Sequence, residues 1–238
     1  MKLLTYFNQN KYPVIFLLFV ILYFLFYGRF GYDDADNGFT LAFSWRIFNG
    51  EIPYRDFILV RPPLSPLFHT LPLYIIPDNY QIIFERFLTY LLIALSSLFG
   101  ALALDKAFRL TEINLNPYLL ATIGFVFSAH HFPPMPWHTI DGVFFAAIGV
   151  YILACFTSLY SIVFGMLFLF LSALCKQPFY LLPFAGVIYV FLIHKNWKIT
   201  ITSIFSCFCA SKIRKKFQFW GNTLSPPTEK QGPELTAK

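Results

Sequence analysis

Six apolar runs separated by short polar segments dominate this sequence, and they limit the folds that the chain can adopt. The first run occupies residues 12–30, which is long enough to cross a hydrocarbon core of about 30 Å as a helix. We therefore predict an all-α fold, a polytopic transmembrane helix bundle of about six spans within residues 1–198. The predicted spans are 12–30, 82–104, 117–129, 142–159, 160–174 and 179–193.

The composition supports a membrane protein over a soluble one. Only 13% of the 238 residues are charged, whereas 57% are hydrophobic and Phe alone occurs 31 times. Soluble domains carry about 25% charged residues. The net charge of +6 comes mostly from Lys and Arg between the apolar runs and in the C-terminal tail, so we attribute it to orientation in the bilayer, not to nucleic-acid binding. The four cysteines lack zinc-site or disulfide spacing, and we interpret them as packing residues.

The positions of the basic residues predict the orientation of the chain. Lys and Arg are denser in segments 1–11, 105–116 and 194–198 than in the long loop 31–80. Because cytoplasmic segments are enriched in these residues, we expect a cytoplasmic N-terminus and an outer loop 31–80. No small-residue cleavage site follows the first run, which favours a retained signal anchor. We therefore predict a multi-pass protein of a bacterial inner or plasma membrane.

The outer loop divides into two halves with different patterns. Residues 37–49 have the apolar spacing of a short amphipathic helix, which we expect to lie in the membrane interface. Asp36 is a suitable N-cap for this helix, and Gly50 is a suitable residue to follow its end. The second half contains six prolines between positions 53 and 77, so we predict a rigid, extended arm with at most one or two helical turns over 64–76.

The C-terminal part of the chain differs in character from the rest. Residues 199–210 begin like a seventh span but stop after twelve residues, which is too short to cross a bilayer. From position 211 to 238 the sequence becomes basic, then polar and Pro-rich, and we predict a disordered tail. We interpret this abrupt change as a sign of a truncated or frame-shifted version of a longer protein.

Three short strings in the outer loop resemble a known family. They are DNGF at 36–39, GEIPYRDF at 50–57 and RPPL at 61–64. In order and spacing they are similar to the first outer loop of the C-type (GT-C) membrane glycosyltransferases, which include protein O-mannosyltransferases and aminoarabinose lipid A transferases. The resemblance covers about residues 12–105, the front half of such an enzyme. It implies transfer of a sugar from a polyprenyl-phosphate donor to a lipid, glycan or protein acceptor at the outer membrane face.

The same resemblance implies roles for individual residues. Asp36 matches the catalytic aspartate, which would deprotonate or orient the acceptor nucleophile. Arg61 matches the basic residue near the donor phosphate, and its planar guanidinium suits phosphate oxygens. Arg55 and Asp56 match the turn that shapes the loop. Lys176 lies in a predicted outer turn, where it would contact the donor phosphate or, as the alternative, lipid headgroups.

A second carboxylate and a metal are the remaining candidates at the site. The family places a Glu after its catalytic Asp, but this chain has Asn37, so Asp34 and Asp141 are the candidate substitutes. For Asp141, an N-cap at the start of the fourth span is an equally good interpretation. His130, His131 and His138 do not have the spacing of a standard metal site, so we predict no metal and no other cofactor.

Two other functions compete with glycosyl transfer. The chain could be a transporter or flippase-like protein for lipid-linked saccharides, or an inactive fragment. Facing ionisable residues at mid-membrane would favour transport. The predicted spans instead carry their charges at the ends, as with Glu85 and Arg86 near the start of the second span, where they snorkel or face a polar cavity.

Overall fold

The computed structural model describes residues 11–30, 38–132, 134–195 and 201. Over these ranges the chain is mostly helical and contains no β-strand, so the predicted all-α class is confirmed. The α-helices are α1 (Lys11–Tyr27), α2 (Phe39–Phe48), α3 (Leu64–Leu73), α4 (Gln81–Phe108), α5 (Pro117–His131), α6 (His138–Cys155), α7 (Leu159–Ala173) and α8 (Leu182–His194). Short 3-10 turns at Asp78–Tyr80, Leu110–Ile113 and Gln177–Leu181 connect some of them.

Helices occupy all six positions where apolar spans were predicted, although one begins earlier than its pattern indicated. Helix α6 starts at His138, directly after the extended Trp137, instead of at 142. Asp141 therefore lies inside the first turn of α6, and its interpretation as the N-cap of this helix is wrong. The hydropathy pattern missed residues 138–141 because three of these four, His138, Thr139 and Asp141, are polar.

Two helical segments, Asp78–Phe108 and His138–Cys155, are long and apolar enough to cross a membrane. In each, only 39% of the most apolar stretch is fully buried within the protein. A core helix of a soluble protein would instead be mostly buried. The apolar helices α1, α7 and α8 are shorter but also expose large side chains, such as Phe26 and Phe184, each 68% exposed. These features support association with a membrane.

Helix α4 is the centre of the bundle. It packs against α5 and α6, while α6 packs against α7 and α7 against α8. A cluster of buried side chains from α1, α4 and α5 fills the first interface, with Phe16, Val20, Tyr90 and Phe125 among them. Helices α6 and α7 approach closely at two glycines, because a Cβ atom built on Gly149 would lie 2.9 Å from the carbonyl oxygen of Gly165.

The first loop folds as a pair of helices, α2 and α3, which lie on the N-terminal ends of α4 and α6. Helix α2 matches the predicted amphipathic helix but begins at Phe39, with Gly38 in the N-cap position. The prediction of Gly50 after its end is confirmed: Gly50 has φ +88°, and the amides of Gly50 and Glu51 bond to the carbonyls of Ile47 and Arg46. This left-handed turn reverses the chain towards the Pro-rich arm.

The Pro-rich arm is more helical than predicted. Helix α3 covers ten residues, Leu64–Leu73, where only one or two broken turns were expected. Pro66 is the third residue of the helix, where a backbone N–H would have no intrahelical partner in any case. Pro72 lies in the last turn, so the helix loses little before it ends. The spacing of the prolines alone therefore predicted too short a helix in this arm.

Several predictions fall outside the described residues. Among them are Asp34 and Asp36, because residues 31–37 are not described. The same holds for the tail 211–238 and, apart from Ile201, for the abortive span 199–210.

Candidate functional site

Four fully buried polar side chains form a network where α3, α4 and α6 meet. His69 of α3 lies between two carboxylates, with Nδ1 2.6 Å from Oε2 of Glu85 and Nε2 3.1 Å from Oδ1 of Asp141. Ser65, one turn before His69 on the same face of α3, donates a hydrogen bond to Oδ2 of Asp141. All four residues have no exposed surface. The network therefore joins the first loop to the two longest apolar helices.

The two carboxylates keep His69 protonated. Burial by itself would lower the pKa of this imidazole, but the charges and hydrogen bonds of Asp141 and Glu85 outweigh it and raise the pKa to about 10. Both ring nitrogens then donate, one to each carboxylate. A metal ion would need a free nitrogen, and within the described part of the chain no group of three or more His, Cys, Asp or Glu residues is arranged to hold one.

Raising the pH should weaken the fold through His69. The pKa of His69 is raised from 6.5 to about 10, so its contribution to stability is complete below pH 6.5, falls above that value and is lost above about pH 10. We expect the unfolding temperature in detergent micelles to fall over this range. In Asp141→Asn the fall should end at a lower pH, because the charge of Asp141 makes the largest upward contribution to this pKa. Identical pH profiles for the two proteins would contradict a protonated His69.

A second cluster, which we term the cation cluster, consists of Arg61, Lys176, His138 and Thr139. Nη1 of Arg61 lies 3.5 Å from Nδ1 of His138, and Nζ of Lys176 donates to Oγ1 of Thr139 at 2.7 Å. Because a guanidinium only donates, Nδ1 of His138 is the acceptor, and the ring proton lies on Nε2. This Nε2 is buried and has no hydrogen-bond partner among the described residues.

Two aromatic rings fix the position of the Arg61 guanidinium. Its central carbon lies 5.2 Å from the ring centroid of Phe39 and 4.9 Å from that of Trp137. Such cation–π contacts hold a guanidinium in place while its N–H groups stay available to a ligand. Phe39 is the third residue after Asp36 in the sequence. The last residue of the DNGF string is therefore the one whose ring contacts Arg61.

Arg61 and Lys176 are 115 positions apart in the sequence (176 − 61), and hydrogen bonds between the segments that carry them bring them together. The amide of Leu64 donates to the carbonyl of Leu174 at 3.2 Å, and the side chain of Gln177 donates to the carbonyl of Val60 at 3.2 Å. These bonds fasten the arm before α3 to the turn after α7. The arm and the turn therefore present their basic residues to the same space.

The described residues around the cation cluster do not neutralise its positive charge. Burial and the neighbouring Arg61 both lower the pKa of Lys176. Within the described residues, neither Arg61 nor Lys176 forms an ion pair with a carboxylate. Two half-buried cations that repel each other are stabilised by an anion between them. The arrangement suits a phosphate group.

The structure brings some of the predicted site residues together and separates others. Arg61 and Lys176 meet in the cation cluster, three residues from the buried Asp141 through His138 in α6. Arg55 and Asp56 instead pair with each other at 2.7 Å on the surface, and Asp56 also accepts the amide of Ile52 at 2.7 Å, which closes the turn.

Sequence reasoning missed His69 and Ser65 and did not place His138. Two signals were available: Ser65 and His69 are four residues apart, so they share a face of any helix, and Glu85 is a lone acid at the start of an apolar run.

Comparison of the chain with protein-family models, with curated proteins and with solved structures finds no match.

Proposed function

We propose that this chain is an integral-membrane glycosyltransferase of the C type. It would move a sugar from a polyprenyl-phosphate donor to a lipid, glycan or protein acceptor at the outer membrane face. The observation that carries the proposal is the convergence of Arg61 and Lys176 with no described carboxylate to pair them. Arg61 belongs to the RPPL string that resembles the family, so the sequence motif and the electrostatics favour the same ligand group.

The proposal includes a topology in which all six apolar helices cross the membrane and the N-terminus is cytoplasmic. The N-terminal ends of α4 and α6 then lie at the outer face. Glu85 and Asp141 lie four and three residues from the starts of these helices, about 6 Å and 4.5 Å along the axis. The cation cluster is next to them, at the depth where a lipid phosphate lies in a bilayer.

In this mechanism each group has a separate task. The cations Arg61 and Lys176 bind the donor phosphate and stabilise the charge that develops on it as the glycosidic bond breaks. Asp36 accepts the proton of the acceptor hydroxyl as its oxygen forms the new bond to the anomeric carbon, and the polyprenyl phosphate leaves as the anion held by the two cations. Asp141 is less suited to act as the second carboxylate, because His69 and Ser65 occupy both its oxygens. Asp34 remains the other candidate for that task.

Arg61→Ala should raise the KM for the donor by about 10- to 100-fold, since a hydrogen bond to a charged group contributes about 1.5–3 kcal/mol. The KM for the acceptor should change little. The measurement is transfer of label from radioactive polyprenyl-phosphate sugars to lipid, glycan or protein in membranes that contain the chain. Arg55→Ala is the matched control, because this arginine lies in the same loop but pairs with Asp56. Equal losses for donor and acceptor would argue against a phosphate role for Arg61.

Transport of a lipid-linked saccharide is the alternative function. The observation that favours it is the His69–Glu85–Asp141 network, because three ionisable residues from three helices face one another. The network lies near the helix ends instead of at mid-membrane, which favours the enzyme. Movement of labelled lipid-linked saccharide across vesicles, without transfer of the sugar, would select the transporter. Neither transfer nor transport would identify an inactive fragment.

A further inference from the structure

An apolar groove lies on the opposite face of α2 from the cation cluster. It has a volume of about 330 Å³, within the usual range for a small-molecule site. One wall is the face of α2 that carries Gly38, Leu41, Ala42 and Trp45, at positions i, i+3, i+4 and i+7. The start of α4 and residues 134–136 supply the other walls. The groove shares no residue with the cation cluster, so it is a separate cavity.

Among the described residues that line the groove, Arg86 is the one that is basic. Its side chain is only 8% exposed, and within the described part of the chain it forms no ion pair. One terminal nitrogen donates to the carbonyl of Phe30, but Nε is buried with no described partner. Burying a guanidinium without a counter-charge is costly. An anion in the groove would remove that cost.

The position of Arg86 indicates which kind of anion fits. Arg86 is five residues into α4, about 7.5 Å along the axis from Gln81. The polar region on each side of a bilayer is about 5–7.5 Å thick, so Arg86 lies near the border between headgroups and hydrocarbon in the proposed topology. Trp45 and Ile82, 58% and 59% exposed, form an apolar rim that a hydrocarbon chain can cross.

We propose that this groove binds an anionic phospholipid of the surrounding bilayer. The headgroup phosphate lies against Arg86, and an acyl chain lies along the apolar wall past Trp45. The site is distinct from the proposed donor site, and it would exist whether the chain transfers a sugar, transports a saccharide or does neither.

Quenching of Trp45 by brominated lipids tests the proposal without any activity assay. The protein would carry Trp137→Phe, Trp197→Phe and Trp220→Phe, so that Trp45 alone fluoresces, and would be placed in phosphatidylcholine bilayers. At equal mole fraction, brominated phosphatidylglycerol should occupy the groove about fivefold more than brominated phosphatidylcholine, the factor expected for one basic residue near an anionic lipid.

Two variants identify the part of the groove responsible. Arg86→Gln should abolish the preference for phosphatidylglycerol, whereas Arg109→Gln, at the other end of α4, should retain it. Gly38→Leu should reduce the preference with Arg86 intact, because a Cβ on Gly38 points into open space and the longer side chain narrows the groove. Gly100→Leu is its matched control, since Gly100 also has open space around it.

Three results would overturn the proposal. The first is equal quenching by both lipids, as expected if a carboxylate of this chain already neutralises Arg86. The second is a preference that survives in Gly38→Leu, which remains decisive if Arg86→Gln does not fold. The third is loss of the preference on addition of inorganic phosphate, which would mean that the groove recognises the anion and not the lipid.

Discussion

Replacing Asp36 with asparagine is expected to lower glycosyl transfer by about 10²- to 10⁴-fold, the range that a general base contributes. Asparagine has the same size and hydrogen-bonding reach but cannot accept the proton of the acceptor hydroxyl. The residue precedes Gly38 and Phe39, and the Phe39 ring contacts the guanidinium of Arg61. The measurement is incorporation of label from polyprenyl-phosphate sugars in membranes that contain equal amounts of each protein.

Asp78→Asn is the control for the Asp36 experiment. Asp78 is a carboxylate in the same first loop, bound by the side chain of Gln81 at 3.0 Å and remote in sequence from the motif. This variant should transfer at the normal rate. Both proteins should resist alkaline extraction from membranes, which shows that they are inserted. Normal transfer by Asp36→Asn would exclude this residue as the base.

Replacing His69 with leucine is expected to lower the free energy of unfolding by about 3–5 kcal/mol, because it leaves two buried carboxylates without their counter-ion. Leucine fills most of the space of the imidazole, so loss of charge accounts for the effect more than loss of volume. Asp141→Asn should cost less, since its Oδ1 can still accept from Nε2 of His69 while its Nδ2 donates to the hydroxyl oxygen of Ser65. Unfolding in micelles can be followed by labelling of the buried thiol of Cys175.

A second comparison separates charge from packing. In the triple variant His69→Leu, Glu85→Gln, Asp141→Asn no charge remains within the network, and much of the lost stability should return. Glu112→Gln removes an exposed ion pair with Arg109 and should change stability by less than about 0.5 kcal/mol. If the triple variant is less stable than His69→Leu alone, the cost arises from lost hydrogen bonds and not from unpaired charge.

The local sequence pattern was sufficient to predict the helices, because each apolar run is long and is bounded by polar or turn-forming residues. The position of Gly50 after the end of α2 could be predicted from the sequence, since a residue that tolerates a left-handed backbone is needed to end a helix in this way. The length of helix α3 could not be predicted from the sequence, because the effect of a proline depends on its position within the helix. Pro66 is harmless as the third helical residue and would be disruptive in the middle.

The sequence predicted the individual candidates of the site better than their arrangement. Arg61 and Lys176 could be singled out by residue type and motif, but their proximity depends on how the arm packs beside the turn after α7. His69 carried little signal as a lone histidine in an apolar segment. Its importance comes from Glu85 and Asp141, which lie on two other helices and approach it only in the folded chain.

The His69 network also imposes an order on biosynthesis. His69 and Glu85 leave the ribosome early and can pair as soon as α3 and α4 have formed. The second partner of His69, Asp141, arrives only with α6, after α5 has returned the chain across the bundle. The first loop therefore reaches its final position late in translation, after the fourth of the six apolar helices has been made; in the proposed topology this is when α6 enters the membrane. A ribosome stalled before α6 would leave a nascent chain whose loop is not yet fastened to the bundle.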